Sequence, residues 1–447
     1  MKLVPTAAAF LSLLLLSGPV CRAQAFPPRG PVAQTMEEAL NRMQPIKGQP
    51  AKAGVKAEIK GKVVAGYQGW FGAEGDSSDL GWKHFGGKNL GPGKCSFDLW
   101  PDLSEFDADE KYPTKFLNAD GSVAPLFSSY NAKTVDRHFK WMKDYGLDGV
   151  MLQRFGGSTR SPQGLDFGTG VMQNVRNAAA HYDRNWAMMY DLSGMQSSDM
   201  VAVISDDWKH LVDRAKILKD KGYLHHNGKP LVAVWGVGFS DGRKYGLKEC
   251  AELVEFLQHD PVYGGNAVML GVPYYWLEQK QDTVTDPELH ELLKKADIIS
   301  PWAVGRYKGS AQVAKNLPAR LTADIAWCNE NKRSYLPVIF PGFSWQNLQK
   351  GRGKPQELNA IDREGGQFLW QQALEAKRAG AEMIYVAMFD EIDEGTAIMK
   401  GSNTPPVGDS NFMTYNGLPP DQYLWLTGEI TKMLRGKAPK DDTLPKR

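Results

Sequence analysis

Met383-Ile-Tyr-Val-Ala-Met-Phe389, followed at once by Asp390-Glu-Ile-Asp-Glu394-Gly-Thr396, is the stretch on which the reading of this sequence turns. An unbroken apolar run rich in β-branched and aromatic residues predicts a strand buried on both faces. Such strands belong to parallel sheets covered by helices, and parallel sheets bind ligands at the carboxyl ends of their strands. Asp390, Glu391, Asp393 and Glu394 stand at that end.

Further runs of the same kind lie upstream, at Lys62–Gly66, Gly149–Gln153, Trp186–Tyr190, Leu231–Trp235, Val268–Val272, Ile298–Ser300 and Leu336–Phe340. Amphipathic stretches follow them: Ala132–Asp144, Gly170–His181, Asp207–Lys219, Lys248–Leu257, Asp286–Lys295, Val313–Glu330, Gly365–Ala379 and, after the last strand, Asp421–Leu434. Strand and helix alternating in this way predict an α/β fold, the (β/α)8 TIM barrel. A doubly wound sheet is disfavoured because no G-x-G-x-x-G follows the first strand. Phe71 to Ala132 lacks periodicity and reads as an elaborated first βα-loop over the site.

The ends of the chain read differently. Lys2, the apolar run Ala7–Leu16 and Ala23-Gln24-Ala25 form a cleavable signal peptide, residues 1–25, which implies a secreted or periplasmic protein. That run is too short to span a bilayer, and no other is long enough. Residues 26–61 read as a linker with one short helix around Met36–Met43, 62–437 as the catalytic domain, and 438–447 as a tail. Basic and acidic residues nearly balance, 53 against 51, so nothing favours a nucleic-acid partner. Cys95, Cys250 and Cys328 allow one disulfide at most and form no C-x-x-C pair. No cofactor motif is present, and the chain is expected to act as a monomer.

Beyond the acids, the strand ends carry Tyr67, Trp70, Arg154, Asp191, Trp235, Tyr275, Trp302 and Trp345, while the strand bodies are aliphatic. Aromatic faces stack on sugar rings. Arg154 fits a buried ion pair with Asp191 or Asp390 as well as it fits an anionic sugar. His84, in the long loop, is a further candidate, and His225-His226 before Asn227-Gly228 reads as a turn. The acid cluster admits three readings. It is a solvated turn or helix cap, an oxygen-ligand site for calcium or magnesium, or an acid/base pair for glycosidic bond cleavage, in which crowding keeps one carboxyl protonated. Its place after a core strand, among aromatic strand ends, favours the third, with an oligo- or polysaccharide as substrate and no metal.

Three segments then resemble glycoside hydrolase family 99, the endo-α-1,2-mannosidases and mannanases, and the related family 71. They are Pro337-Val-Ile-Phe-Pro-Gly-Phe-Ser-Trp345, Asp362-Arg-Glu-Gly-Gly-Gln-Phe368 and Phe389-Asp-Glu-Ile-Asp-Glu-Gly-Thr396. Ala65-Gly-Tyr-Gln-Gly-Trp-Phe71 and Trp82-Lys-His-Phe85 are similar to the family's opening strand and its W-x-H-W segment. The resemblance implies catalytic roles for Glu391, as base on the substrate's own 2-hydroxyl, and Glu394, as general acid/base, with retention at the anomeric carbon. The departures lie around that pair. Asp390 stands for the family's Asn, Ile392-Asp393 for its Trp-His, Trp302 for a tyrosine, and Trp235-Gly-Val-Gly for the tyrosines after the fourth strand. A different sugar is therefore expected. A non-catalytic glycan-binding barrel and a metal-dependent hydrolase are the alternative functions.

Overall fold

The computed structural model describes residues 29–46, 57–438 and 440–447. The signal-peptide reading lies outside the described residues. Eight parallel strands form the frame. They are β1 Val63–Tyr67, β2 Gly149–Phe155, β3 Asn185–Asp191, β4 Lys229–Trp235, β5 Ala267–Val272, β6 Ile298–Pro301, β7 in two pieces (Ser334–Tyr335 and Val338–Ile339), and β8 Ile384–Val386. Each pairs with its neighbour in chain order, and β8 pairs with β1 through Ile384↔Val63.

The ring closes across β7. Its first piece pairs with β6, Ile298↔Ser334, and its second with β8, Val338↔Tyr385. Pro337 divides the two pieces because it has no N–H to give a ladder. Leu336 N still donates to Ile299 O at 2.9 Å, and Pro337 O accepts from Tyr385 N at 3.0 Å. The (β/α)8 barrel is therefore present.

The helices follow in the expected order: α1 Ala132–Tyr145, α2 Pro162–Tyr182, α3 Met200–His210, α4 Leu247–His259, α5 Glu288–Leu293, α6 Ser310–Glu330, α7 Gln367–Arg378 and α8 Gln422–Leu434. Two start about two turns earlier than periodicity alone suggests. Ser161 caps α2 by accepting from Gly164 N, with Pro162 in the first turn. α3 begins at Met200 because Met200, Ile204, Trp208 and Leu211 form one buried stripe.

Alternation along the strands divides the core. Val64, Met151, Ala187, Met189, Ala233 and Tyr385 pack together inside the barrel. Val63, Ala65, Val150, Leu152, Met188 and Val234 face the helices. Gly271 shows how tight the interior is, since a Cβ there would lie 2.1 Å from the Trp235 ring.

Two expectations are corrected. The stretch read as linker packs onto the barrel over residues 29–46. Val32, Ala33, Ala39 and Met43 are buried there, and Arg29 and Arg42 both pair with the enclosed Asp166, at 2.7 and 2.6 Å. Ala57–Glu58 adds a short strand beside Leu224–His226. The disulfide allowed by the cysteine count is absent, because Cys95, Cys250 and Cys328 are separate buried thiols. Among the described residues no helix is long and apolar enough to cross a membrane.

Candidate active site

A cavity of about 350 Å³ opens at the carboxyl ends of the strands. Of the expected residues, Glu391, Glu394, Trp70, Asp191, Trp235 and Trp302 line it. A larger groove of about 780 Å³ lies between α4 and α5, lined largely by charged side chains of those helices and away from the strand ends.

The carboxylates are held in distinct ways. Asp390 is fully buried and accepts from the backbone amides of Gln68 and Gly69, at 2.7 and 2.8 Å. It ties the end of β8 to the end of β1. Glu391 accepts from Gln68 Nε2 at 2.8 Å on one oxygen and from Thr396 Oγ1 at 2.9 Å on the other. Asp393 is buried with one oxygen unpartnered, and Glu394 is half-buried. Neither Asp390 nor Asp393 lines the cavity.

Burial dominates their protonation. It lifts the Asp390 carboxyl to about 7 against its two amide donors. Burial, then the charges of Glu394 and Asp393, pushes Glu391 well above the ordinary carboxylate range, while its two side-chain donors oppose the shift. Burial also raises Asp393 and Glu394, with Arg352 opposing in the latter. Crowded acids share protons. The charges of Glu394 and Asp393 bear on Glu391, and its two side-chain donors oppose them.

The other expected residues lie elsewhere. Tyr67 is fully buried on the helix side of β1, its hydroxyl 2.9 Å from His138 Nδ1, so it offers no face to a sugar. Arg154 also faces outward. It grips Asp207 of α3 through Nε and Nη2, at 2.7 and 2.6 Å, and pairs with neither Asp191 nor Asp390. His84 is exposed and stacks on Trp70, ring centres 4.0 Å apart, so it steadies the cavity wall. Tyr275 lies under Arg320 at 5.2 Å, and Trp345 packs edge-on against Phe343 at 5.0 Å. His226 is buried and contacts Ser334 rather than sitting in an open turn.

Residues not expected complete the walls. Gln68, Gln153 and Phe155 come from strand ends, and Gln153 donates to Asp191 at 2.8 Å. Phe239, Asp241 and Arg243 come from the loop after β4, where Arg243 pairs with Asp241 at 3.0 Å. That loop carries no periodic signal in sequence.

The acids at 390–394 do not bring three ligand atoms within 4.8 Å of one another. Among the described residues the trio that does is Asp107, Asp109 and Glu110, whose carboxylates already pair with Lys133 and Arg137.

Two solved structures of the family 99 endo-α-mannosidase from Bacteroides thetaiotaomicron superpose on this barrel. One, in complex with bis-tris-propane, has a TM-score of 0.59 at 16% identity, over 85% of this chain and 98% of that one. The other has a TM-score of 0.60 at 15% identity, over 85% and 99%. The fold is that of the family 99 endo-α-mannosidases. A structure described as a glycoside hydrolase-like protein also matches, with a TM-score of 0.51 at 14% identity over 87% and 97%. No family model matches the sequence. No curated protein matches it either. The family 99 likeness is thus one of architecture, and the chemistry rests on this chain's own residues.

Proposed function

We propose that the protein is a retaining glycoside hydrolase acting on an α-linked glycan, with Glu391 and Glu394 as the catalytic pair. The observation that carries the reading is that these two carboxyls, three apart in sequence, both line the cavity at the end of β8, and only Glu391 is held by two side-chain donors. Donors on both oxygens favour the ionised form. Glu391 is then the base that takes the proton from the sugar 2-hydroxyl as O2 attacks C1. The bond from C1 to the departing oxygen breaks, and that oxygen takes the proton of Glu394, whose affinity for it burial raises. Water, deprotonated by Glu394, opens the three-membered ring at C1, and Glu391 returns its proton to O2. The indole rings of Trp235 and Trp302 exclude water around the reacting ring and supply stacking area, and Trp70, stacked on both His84 and Phe155, stiffens the wall.

Purified protein is to be screened on α-linked polysaccharides, with the anomer of the first product followed by NMR. Retention is expected, and inversion sinks the mechanism. Glu394→Gln and Glu391→Gln are each expected to lower kcat by about 10²–10⁴. Full activity in either variant removes that residue from its role. Absence of hydrolysis alongside tight glycan binding would instead point to a lectin-like barrel. We further propose export with cleavage after Ala25, which mass spectrometry of the natural protein checks by a chain starting at Phe26.

A further inference from the structure

Beside the main cavity lies a small recess of about 50 Å³. Gln68, Trp70, Gln153 and Phe155 line both. The two compartments have opposite charge. The main cavity presents Asp191, Asp241, Glu391 and Glu394 against Arg243. The recess presents Lys83 and Arg154 and no acid. Asp207, on the far side of Arg154, answers that guanidinium. Among the described residues no carboxylate answers Lys83. Its Nζ reaches the Trp70 carbonyl at 3.4 Å and lies 5.0 Å from the centre of the Phe167 ring. A partly desolvated cation without a counter-charge is costly to keep. An anion entering the recess would relieve that cost, whereas the same anion in the main cavity meets four acids.

We propose that the Lys83 recess is a subsite for an anionic substituent, a carboxylate or sulfate, carried by a sugar of the glycan bound across the Trp70–Phe155 wall. The recess is too small for a sugar ring and suits a charged group projecting from one. The sign contrast between compartments then sets the register of the chain, drawing the charged substituent to Lys83 and leaving neutral hydroxyls for the acids. The proposal rests on the main cavity being a glycan site and is independent of whether the glycan is cleaved. Burial lowers the Lys83 ammonium to about 8, so the preference for charged sugars fades as pH rises through that value.

The test is binding, read by calorimetry at low salt, of D-glucuronate, D-glucose 6-sulfate, D-glucose, acetate and inorganic sulfate. At least one charged sugar is expected to bind about ten-fold more tightly than glucose, with an advantage that shrinks in added salt. Which of the two does so distinguishes a carboxylate from a sulfate subsite. Lys83→Met and Lys83→Gln should both abolish the advantage and leave glucose binding unchanged, and Lys83→Arg should retain it. Equal binding of charged and neutral sugars by the native protein overturns the proposal, as does an advantage that survives both neutral variants. Inorganic sulfate or acetate binding as tightly as the matching sugar overturns it too, because the recess would then be a free-anion site. A protein that shows the advantage yet hydrolyses nothing sinks the hydrolase reading and leaves this one standing.

Discussion

Gln68 decides more at the residue scale than its unremarked place in the sequence suggests. Its backbone amide is held by Asp390 while its side-chain amide holds Glu391. It is a positioning residue for the carboxylate proposed as the base. Gln68→Met keeps the bulk and loses the donor, so Glu391 should rise further in pKa and the acid limb of kcat/KM should move to higher pH. The sign in stability follows the same way. A carboxyl raised in the folded state weakens the fold as pH climbs through its range. The melting-temperature deficit of the variant should therefore be small at acid pH and grow toward alkaline pH. A deficit independent of pH would reduce Gln68 to packing. The parity of the strands explains which expected residues met the cavity. Side chains alternate at period two, so neighbours in a strand face opposite ways. Gln68, Gln153, Phe155, Asp191 and Trp235 share the inward phase. Tyr67 and Arg154 sit one residue out of phase and meet His138 and Asp207 instead. This was legible in the sequence once the aliphatic positions were assigned to a face. Residue type alone, an aromatic or a cation at a strand end, is a weaker guide than phase.

Pairings between elements carry the next tests. Arg154 joins β2 to α3 through a buried two-point grip on Asp207, which Tyr190 also reaches at 2.7 Å. Arg154→Met leaves Asp207 buried without its cation and should cost about 3–5 kcal/mol in urea denaturation. A loss below about 1 kcal/mol would mean that water or Tyr190 compensates. The segment 29–46 is held by Asp166 of α2, which accepts from Arg29, Arg42 and Ala33 N. Asp166→Asn should free it, seen as faster trypsin cleavage at Arg29 and Arg42 with the barrel intact. Composition hid this docking. The stretch 26–61 as a whole is rich in proline, alanine, lysine and glycine, and the four buried residues are too scattered to form a periodic signal. The barrel elements were legible because each obeys one period throughout. The loop after β4 was not, since Phe239, Asp241 and Arg243 are placed by turns and one ion pair rather than by any repeat.

For the whole molecule, the barrel buries acids that its unfolded chain would not. Asp390 and Asp324, on β8's end and on α6, both lie near 7 through burial. The folded protein then binds more protons than the unfolded chain between about pH 4 and 7, so stability falls as pH rises through that window, by up to about 1.4 kcal/mol per pH unit for each group. The urea midpoint should drop from about pH 5 to about pH 8, and Asp324→Asn should flatten the slope. A midpoint that climbs over that range contradicts these assignments. Asp390 has a consequence of another kind. It reaches back across 322 positions to Gln68, and Gln68 in turn sets Glu391. The oldest and youngest parts of the growing polypeptide must meet before a site exists. A ribosome-bound chain that has not yet released residues 384–394 lacks the closing strand and the last wall of the cavity, so the site forms only when synthesis is nearly finished.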